Sequence, residues 1–325
     1  MDLPINKTLA ADIVLIGFSE SLKINVLLFL VFSVIYLATI VGNGFMVCVI
    51  IICPHLHTPM YLFLCNLAVI DFFYSSRTVP KLLIDLLSSS RRISLVACRF
   101  QVYSGLLLGQ TECLLLALMA YDRYVAICRP LNYLIIMRWS VCYRLTTITW
   151  VIGFIATLLP SLLVPIRYCN PNQINHFACE ILDVVKLSCD SVPNIEIGFV
   201  ILTIITIFVP FIFILLSYIV IISSILKLHS TGRSKAFSTC SSHLTVVSLF
   251  YGTLLIVLLV PSSTSIGFNK TCQNNKQPLL PSPRASDEQC DRLRDLQLEG
   301  ISPRVVMNSQ LRGECLSWLM DSPNQ

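Results

Sequence analysis

The chain has 325 residues, of which 55% are hydrophobic and only 13% are charged. That charged fraction is about half of the roughly 25% usual in soluble domains, so the composition excludes an ordinary soluble protein and predicts a membrane protein. The formal net charge is +5, and so modest a surplus on a membrane protein gives no case for nucleic-acid binding.

Long apolar runs predict an all-α membrane protein whose transmembrane helix bundle has six spans. A helix needs about 20 apolar residues to cross a hydrocarbon layer of about 30 Å, and every run is longer than that. The chain is accordingly divided into an N-terminal segment 1–25, the bundle 26–260 and a tail 261–325. The predicted spans are 26–52, 60–87, 100–128, 145–166, 197–226 and 236–260.

The N-terminal segment lacks the basic start and apolar core that are typical of a cleavable signal peptide. Asn6 begins an Asn-Lys-Thr sequence, which is an N-glycosylation acceptor only if this end of the chain is lumenal. The usual excess of Lys and Arg in cytoplasmic loops does not decide the orientation, because both sides of the bundle carry equal numbers.

Two carboxyl groups are predicted to lie inside the membrane. Asp71 lies well within the second span, and Glu112 precedes Arg123 in the third span by roughly 16 Å of helix rise. If the two spans are antiparallel neighbours, both acids fall at similar depth, where two carboxylates repel each other unless they share a proton or a cation. The pair is therefore interpreted either as a Na⁺ site or as neutral acids hydrogen-bonded to Asn43 and to serines.

The third span ends in a charged pair, Asp122 and Arg123. A charge at the centre of the hydrocarbon layer costs roughly 2.5–3.5 kcal/mol even on the lenient insertion scale, so the pair is expected at a membrane–water boundary. Tyr121 and Tyr124 flank it, and interfacial tyrosines prefer the headgroup layer.

Four cysteines gather on one side of the predicted bundle. Cys98 lies at the start of the third span, and Cys169, Cys179 and Cys189 lie between the fourth and fifth spans. Four cysteines allow three connectivities, but their clustering predicts an oxidising, extracellular side. The N-terminus is then extracellular, in agreement with Asn6, and Asp122 and Arg123 are cytoplasmic.

Four motifs together resemble the signature set of mammalian olfactory receptors, a family of rhodopsin-like G protein-coupled receptors. The resemblance extends from the N-terminus to about Ser265. The motifs are Pro59-Met-Tyr-Leu-Phe-Leu-Cys-Asn-Leu67, Met119-Ala-Tyr-Asp-Arg-Tyr-Val-Ala-Ile-Cys128, Ser217-Tyr218 and Lys235-Ala-Phe-Ser-Thr-Cys-Ser-Ser-His-Leu244.

The resemblance implies a receptor without catalytic activity or cofactor, which binds small volatile odorants and signals to a stimulatory G protein from the plasma membrane. Arg123 would engage the G protein after release from Asp122, with Tyr124 beside it and Tyr218 supporting the active state. Asp71 and Glu112 would match the family's cation site. The implied disulfides are Cys98–Cys179 and Cys169–Cys189, and the implied pocket residues are Gly105, Leu108, Gly109, Leu202, Thr206, Tyr251 and Leu255.

The sequence departs from the family pattern after Leu254. The family continues into a seventh span, whereas residues 261–325 contain no uncharged apolar run long enough to cross a bilayer and have the composition of a disordered tail. Six crossings would leave this tail on the lumenal side. Two alternatives therefore stand beside the receptor: a truncated, non-signalling remnant retained in the endoplasmic reticulum, and a six-span channel or transporter that uses Asp71 and Glu112.

Overall fold

The computed structural model describes residues 12–16, 21–88, 90–163, 173–174, 176–181, 193–227 and 230–259. Over this part of the chain long α-helices account for most residues, and the predicted all-α bundle is confirmed. Three very short strands and two 3-10 turns, Pro54–Leu56 and Pro130–Asn132, lie in the connections. Some predictions concern residues outside the described ranges. These are the glycosylation site at Asn6, the cysteines Cys169 and Cys189, and the whole tail 261–325.

Seven α-helices are described: α1 Leu22–Ile52, α2 Pro59–Leu87, α3 Leu95–Cys128, the single-turn α4 Tyr133–Ile136, α5 Trp139–Leu163, α6 Pro193–Ile225 and α7 Ser230–Leu259. Every long helix begins before its predicted apolar run. The reason is that helical structure continues beyond the hydrocarbon layer, where charged side chains such as Lys23 and Arg144 reach water or headgroups.

Five of the described helices, α1, α2, α3, α5 and α6, contain segments long and apolar enough to cross a bilayer. The sixth predicted span is present as helix α7, whose apolar stretch over the described residues is the shorter segment Cys240–Leu255. Its crossing of the membrane remains a prediction. Large apolar side chains face outward from these helices, for example Val34 on α1, which is 67% exposed, and Ile219 on α6, which is 64% exposed. Such a surface suits lipid rather than water.

Helix α3 lies at the centre of the bundle and packs against α2, α5 and α6. The main core is formed where apolar side chains from several helices meet, and it includes Phe63 of α2, Leu115 of α3, Ile214 of α6 and Val247 of α7. Two interhelical hydrogen bonds involve α5. Trp150 Nε1 donates to Asn66 Oδ1 of α2 at 3.1 Å, and Thr157 Oγ1 donates to Gln110 Oε1 of α3 at 3.4 Å. Such bonds hold neighbouring helices in register where lipid offers no hydrogen-bond partner.

A three-stranded sheet closes one end of the bundle. Strand β1, Ile13–Leu15, lies in the middle, antiparallel to β2, Arg92–Ile93, and parallel to β3, Gln173–Ile174. Ile13 and Leu15 are buried in a second core together with Cys98 and Cys179, so the sheet and these cysteines share one end of the molecule. The sequence analysis did not predict this sheet, because strands of two or three residues are too short to show a period-two pattern.

Candidate functional site

A cavity of about 240 Å³ lies within the bundle, toward the end closed by the sheet. Its walls come from α1, α2, α3, α6 and α7, and the segment Cys179–Ile181 lies against it. The volume falls a little below the roughly 300–1,000 Å³ of typical ligand pockets, so the cavity suits a molecule smaller than most drugs.

Three of the seven predicted pocket residues line this cavity: Gly105 and Gly109 of α3 and Thr206 of α6. Leu108 and Tyr251 instead belong to the main core, where the Tyr251 ring lies 4.5 Å from the Phe211 ring. Leu202 and Leu255 are half-buried and lie outside the set of residues that line the cavity. Ligand contact by any of the seven remains a prediction.

Asp71 and Glu112 both line the cavity, so the fold brings the two predicted acids to the same space. Asp71 is 5% exposed. The Asn43 amide donates to the Thr39 backbone oxygen at 2.9 Å, and the Ser75 hydroxyl donates to backbone oxygens of Asp71 and Phe72. These bonds of Asn43 and Ser75 thus go to the main chain rather than to a carboxylate. Two carboxylates facing one cavity can bind a cation, and the Na⁺ site remains a prediction.

A guanidinium group also lines the cavity. Arg77 lies on α2, its Cζ is 4.4 Å from the centre of the Tyr74 ring, and its Nη1 donates to the backbone oxygen of Gln101. No role for Arg77 could be predicted from the sequence, because a charge in an apolar run does not reveal which face of the helix it occupies.

Gln101 connects three parts of the cavity wall. Its side-chain Nε2 donates to the Arg77 backbone oxygen at 3.3 Å, and its Oε1 accepts a hydrogen bond of 2.9 Å from the Cys179 backbone nitrogen. The side chain is 4% exposed, so these bonds satisfy a buried amide that would otherwise be costly. Gln101 therefore positions the segment after α5 against α2 and α3, a role that sequence reasoning missed.

The disulfide between Cys98 and Cys179 is confirmed, with their Cα atoms 5.4 Å apart. It links Cys98, in the first turn of α3, to Cys179, the first residue of the segment Cys179–Ile181 that lies against the cavity. Because Cys179 also donates to Gln101, this segment is fixed both covalently and by a hydrogen bond.

At the opposite end of α3, Asp122 and Arg123 form an ion pair with Arg123 Nη2 at 3.0 Å from Asp122 Oδ2. Asp122 is completely buried, and its other oxygen accepts a hydrogen bond of 2.9 Å from the Tyr133 hydroxyl. Burial, followed by the neighbouring Asp122 carboxylate, raises the pKa of the Tyr133 phenol above its ordinary range. The loop tyrosine is thus a neutral donor to the carboxylate. Sequence reasoning missed Tyr133, the first residue of the single-turn helix α4 in the loop between α3 and α5, because this loop has no distinguishing pattern.

The remaining residues of the predicted coupling site lie near this pair. The Tyr124 ring stacks on Tyr121 with centroids 6.3 Å apart. The hydroxyl oxygen of Tyr218 on α6 lies 2.6 Å from Nδ1 of His243 on α7, and both side chains are buried. The Cys128 thiol donates to Ser224 Oγ at 3.3 Å, which joins α3 to α6. Polar contacts therefore hold α3, α6 and α7 together at this end.

The sequence matches the family profile described as "Olfactory receptor" over residues 32–264. Human Olfactory receptor 2K2 is 46% identical over 262 residues, which cover 80% of this chain and 83% of that receptor. Human Olfactory receptor 13C9 is 43% identical over 260 residues, 79% of this chain and 82% of the relative. Mouse Olfactory receptor 2A7 is 41% identical over 293 residues, 87% of this chain and 94% of the relative.

Proposed function

The chain belongs to the olfactory receptor family, a family of G protein-coupled receptors and not of enzymes, and we propose that it binds a small volatile odorant in the bundle cavity and signals to a stimulatory G protein. It is a multi-pass membrane protein. The comparisons give no support to a channel or transporter.

The observation that carries the proposal is the position of the cavity between helices that must move relative to each other. Glu112 and Cys113 of α3, Thr206 of α6 and Phe250 of α7 line one space. A ligand there contacts all three helices and favours whichever arrangement gives it the better contacts. Because the same helices meet again around Arg123 and Tyr218, a shift at the cavity is transmitted along rigid helices to that end.

The inner end supplies the proposed switch. In the described state Arg123 is held by Asp122, and Tyr218 is held by His243. We infer that activation releases Arg123 toward the G protein, with Tyr124 at the contact surface and Tyr218 supporting the new position. The free-energy difference between the resting and active conformations can be small. A difference of a few kcal/mol still leaves the minor conformation detectably populated.

A Na⁺ ion is proposed between Asp71 and Glu112, where it would stabilise the resting arrangement by neutralising two carboxylates that face one cavity. The receptor is proposed to reside in the plasma membrane with its N-terminus outside. That orientation would allow glycosylation at Asn6 and a second disulfide, Cys169–Cys189, on the oxidising side.

The test is expression of the full chain with an N-terminal epitope, surface staining of intact cells and a cAMP assay with an odorant panel. We expect surface staining and a dose-dependent cAMP rise with at least one odorant. Intracellular retention without any response would contradict the proposal and would favour the remnant held in the endoplasmic reticulum.

A further inference from the structure

The Arg77 guanidinium is placed where a ligand can reach it. It lines the cavity from α2, beside Gln101 and Gly105 of α3. Arg77 lies six residues after Asp71, about 9 Å along the helix, and so nearer to the end that carries Cys179. The cavity therefore has a cationic region toward the sheet and an acidic region deeper in the bundle.

Two contacts hold the Arg77 guanidinium in place. They are the backbone oxygen of Gln101 and the face of the Tyr74 ring, both of them neutral. The buried Nε of Arg77 has no hydrogen-bond acceptor among the residues that the structure describes. A buried donor without an acceptor is costly, so an anion at this position gains a charge-assisted bond and relieves that cost.

Gly105 makes room for this arrangement. A Cβ atom added at Gly105 would lie only 2.5 Å from the Arg77 Cζ and Nη1 atoms, too close for any real contact. The guanidinium can lie against α3 only because the residue opposite has no side chain. Gly44 of α1, which lies outside the cavity lining, is a suitable contrast, since a Cβ atom there would meet nothing within 4 Å.

The carboxyl groups around the cavity are less available to a cationic ligand, because Asp71 and Glu112 are the proposed ligands of Na⁺. A buried carboxyl can take up a proton, whereas a guanidinium cannot release one in a protein. Glu180 is exposed, so water already solvates it, and Asp71 and Glu112 line the cavity where the proposed Na⁺ would neutralise them. Arg77 is thus the group in the cavity that suits an anionic ligand.

The opposite walls are apolar. Ile207 of α6 and Phe250 and Leu254 of α7 line the cavity across from α2. A ligand that satisfies both sides has one anionic group and a short hydrocarbon tail, which suits a small cavity.

We propose that this cavity selects small aliphatic carboxylates, whose carboxylate binds Arg77 and whose tail packs against Ile207, Phe250 and Leu254. The proposal rests on the proposed function in that it names the ligand class of the same cavity. Arginine is well matched to the task, because its planar fork of N–H donors fits the two oxygens of a carboxylate.

The test measures binding rather than signalling. The full chain, purified in phospholipid nanodiscs, is unfolded thermally at neutral pH in the presence of hexanoate, 1-hexanol or hexylamine. We expect hexanoate to raise the melting temperature in a saturable manner, and 1-hexanol and hexylamine to have much smaller effects. Equal effects of hexanoate and 1-hexanol, a larger effect of hexylamine, or no shift with hexanoate would each overturn the proposal.

Four variants locate the anchor. Arg77→Met should weaken hexanoate binding roughly ten- to hundred-fold, as expected for loss of hydrogen bonds to a charged group, and Arg77→Lys should give an intermediate loss. Gly105→Ala should weaken binding by displacing the guanidinium, while Gly44→Ala on α1, its matched control outside the cavity, should bind as the wild type does. Wild-type affinity in Arg77→Met, or equal affinities in the two glycine variants, would refute the assignment. If Arg77→Met does not fold, the glycine pair decides the question.

A parallel cAMP assay separates this inference from the proposed function. Hexanoate binding without a cAMP response would contradict signalling but support the carboxylate site. A cAMP response to neutral odorants, without hexanoate binding, would support the receptor and overturn the ligand class.

Discussion

The Tyr133 hydroxyl donates a hydrogen bond of 2.9 Å to Asp122, the completely buried partner of Arg123. Each carboxylate oxygen of Asp122 thus has its own donor, one from the next residue along α3 and one from the loop that follows. Because a buried carboxylate is costly unless it is paired and hydrogen-bonded, the loop tyrosine helps to keep the ion pair closed. The resting position of Arg123 therefore depends on a residue outside the motif that contains it.

Tyr133→Phe should raise basal cAMP and lower the melting temperature. The variant keeps the ring but leaves Oδ1 of Asp122 without its loop donor, a loss of about 1–3 kcal/mol for a buried acceptor. Basal cAMP, normalised to surface receptor, is the measurement. Tyr143→Phe removes a hydroxyl from an exposed side chain and should change neither quantity. Unchanged basal activity and stability in Tyr133→Phe would show that the hydrogen bond has no role in closing the pair.

Arg123→Gln should abolish the odorant-evoked cAMP rise while leaving the protein at the cell surface. The glutamine amide can still donate a hydrogen bond to the buried Asp122, but it lacks the charge proposed to engage the G protein. Arg129→Gln, which alters an exposed arginine just after α3, serves as the control. A full response from surface-expressed Arg123→Gln would exclude the proposed coupling role.

Cys98→Ser should cause misfolding and loss of surface staining. The disulfide joins residues separated by 81 positions, and in the chain-entropy description closing such a loop stabilises the fold by about 4 kcal/mol. Cys48→Ser, which changes an exposed free cysteine, should be tolerated. Thiol labelling of the denatured wild-type protein is an independent check, and free thiols at both Cys98 and Cys179 would contradict the structure.

Tyr218→Phe and His243→Phe should each destabilise the receptor, and the double variant should lose less than the sum of the two. The hydroxyl and Nδ1 are 2.6 Å apart inside the bundle, so either single change leaves a buried polar group without its partner. A coupling free energy of about 1 kcal/mol is expected from thermal unfolding of all four proteins. Strict additivity would mean that the contact does not tie α6 to α7.

The local sequence was sufficient to predict the long apolar helices and the charged pair at the end of the third span. Long apolar runs located the helices, and the charged pair at the end of the third span indicated Asp122 and Arg123 as a unit. Both signals are local in the sequence. In both, the cost of a charge in hydrocarbon restricts where the charged residues can lie relative to the membrane.

The contacts that sequence reasoning missed join segments that are distant in the chain. Tyr133 reaches Asp122 from a loop, Gln101 reaches Cys179, and Arg77 lies against Gly105 of another helix. No periodicity within one segment encodes which residue of another segment it will meet. Leu108 and Tyr251, which the family resemblance implied as pocket residues, belong to the main core, and their contact with a ligand stays a prediction. An inward-facing side chain can fill a core as readily as it can line a pocket.

The order of strands in the outer sheet has a consequence for biosynthesis. The first strand made, β1, lies between two partners, and β3 emerges only after α5 has been synthesised. Strand β1 must therefore remain without its second neighbour while more than half of the bundle is assembled, because the pairing requires chain that does not yet exist. Cys179, which forms part of the cavity wall, comes shortly after β3 in the sequence. Closure of this end of the cavity is accordingly a late event in synthesis, after most of the bundle has been made.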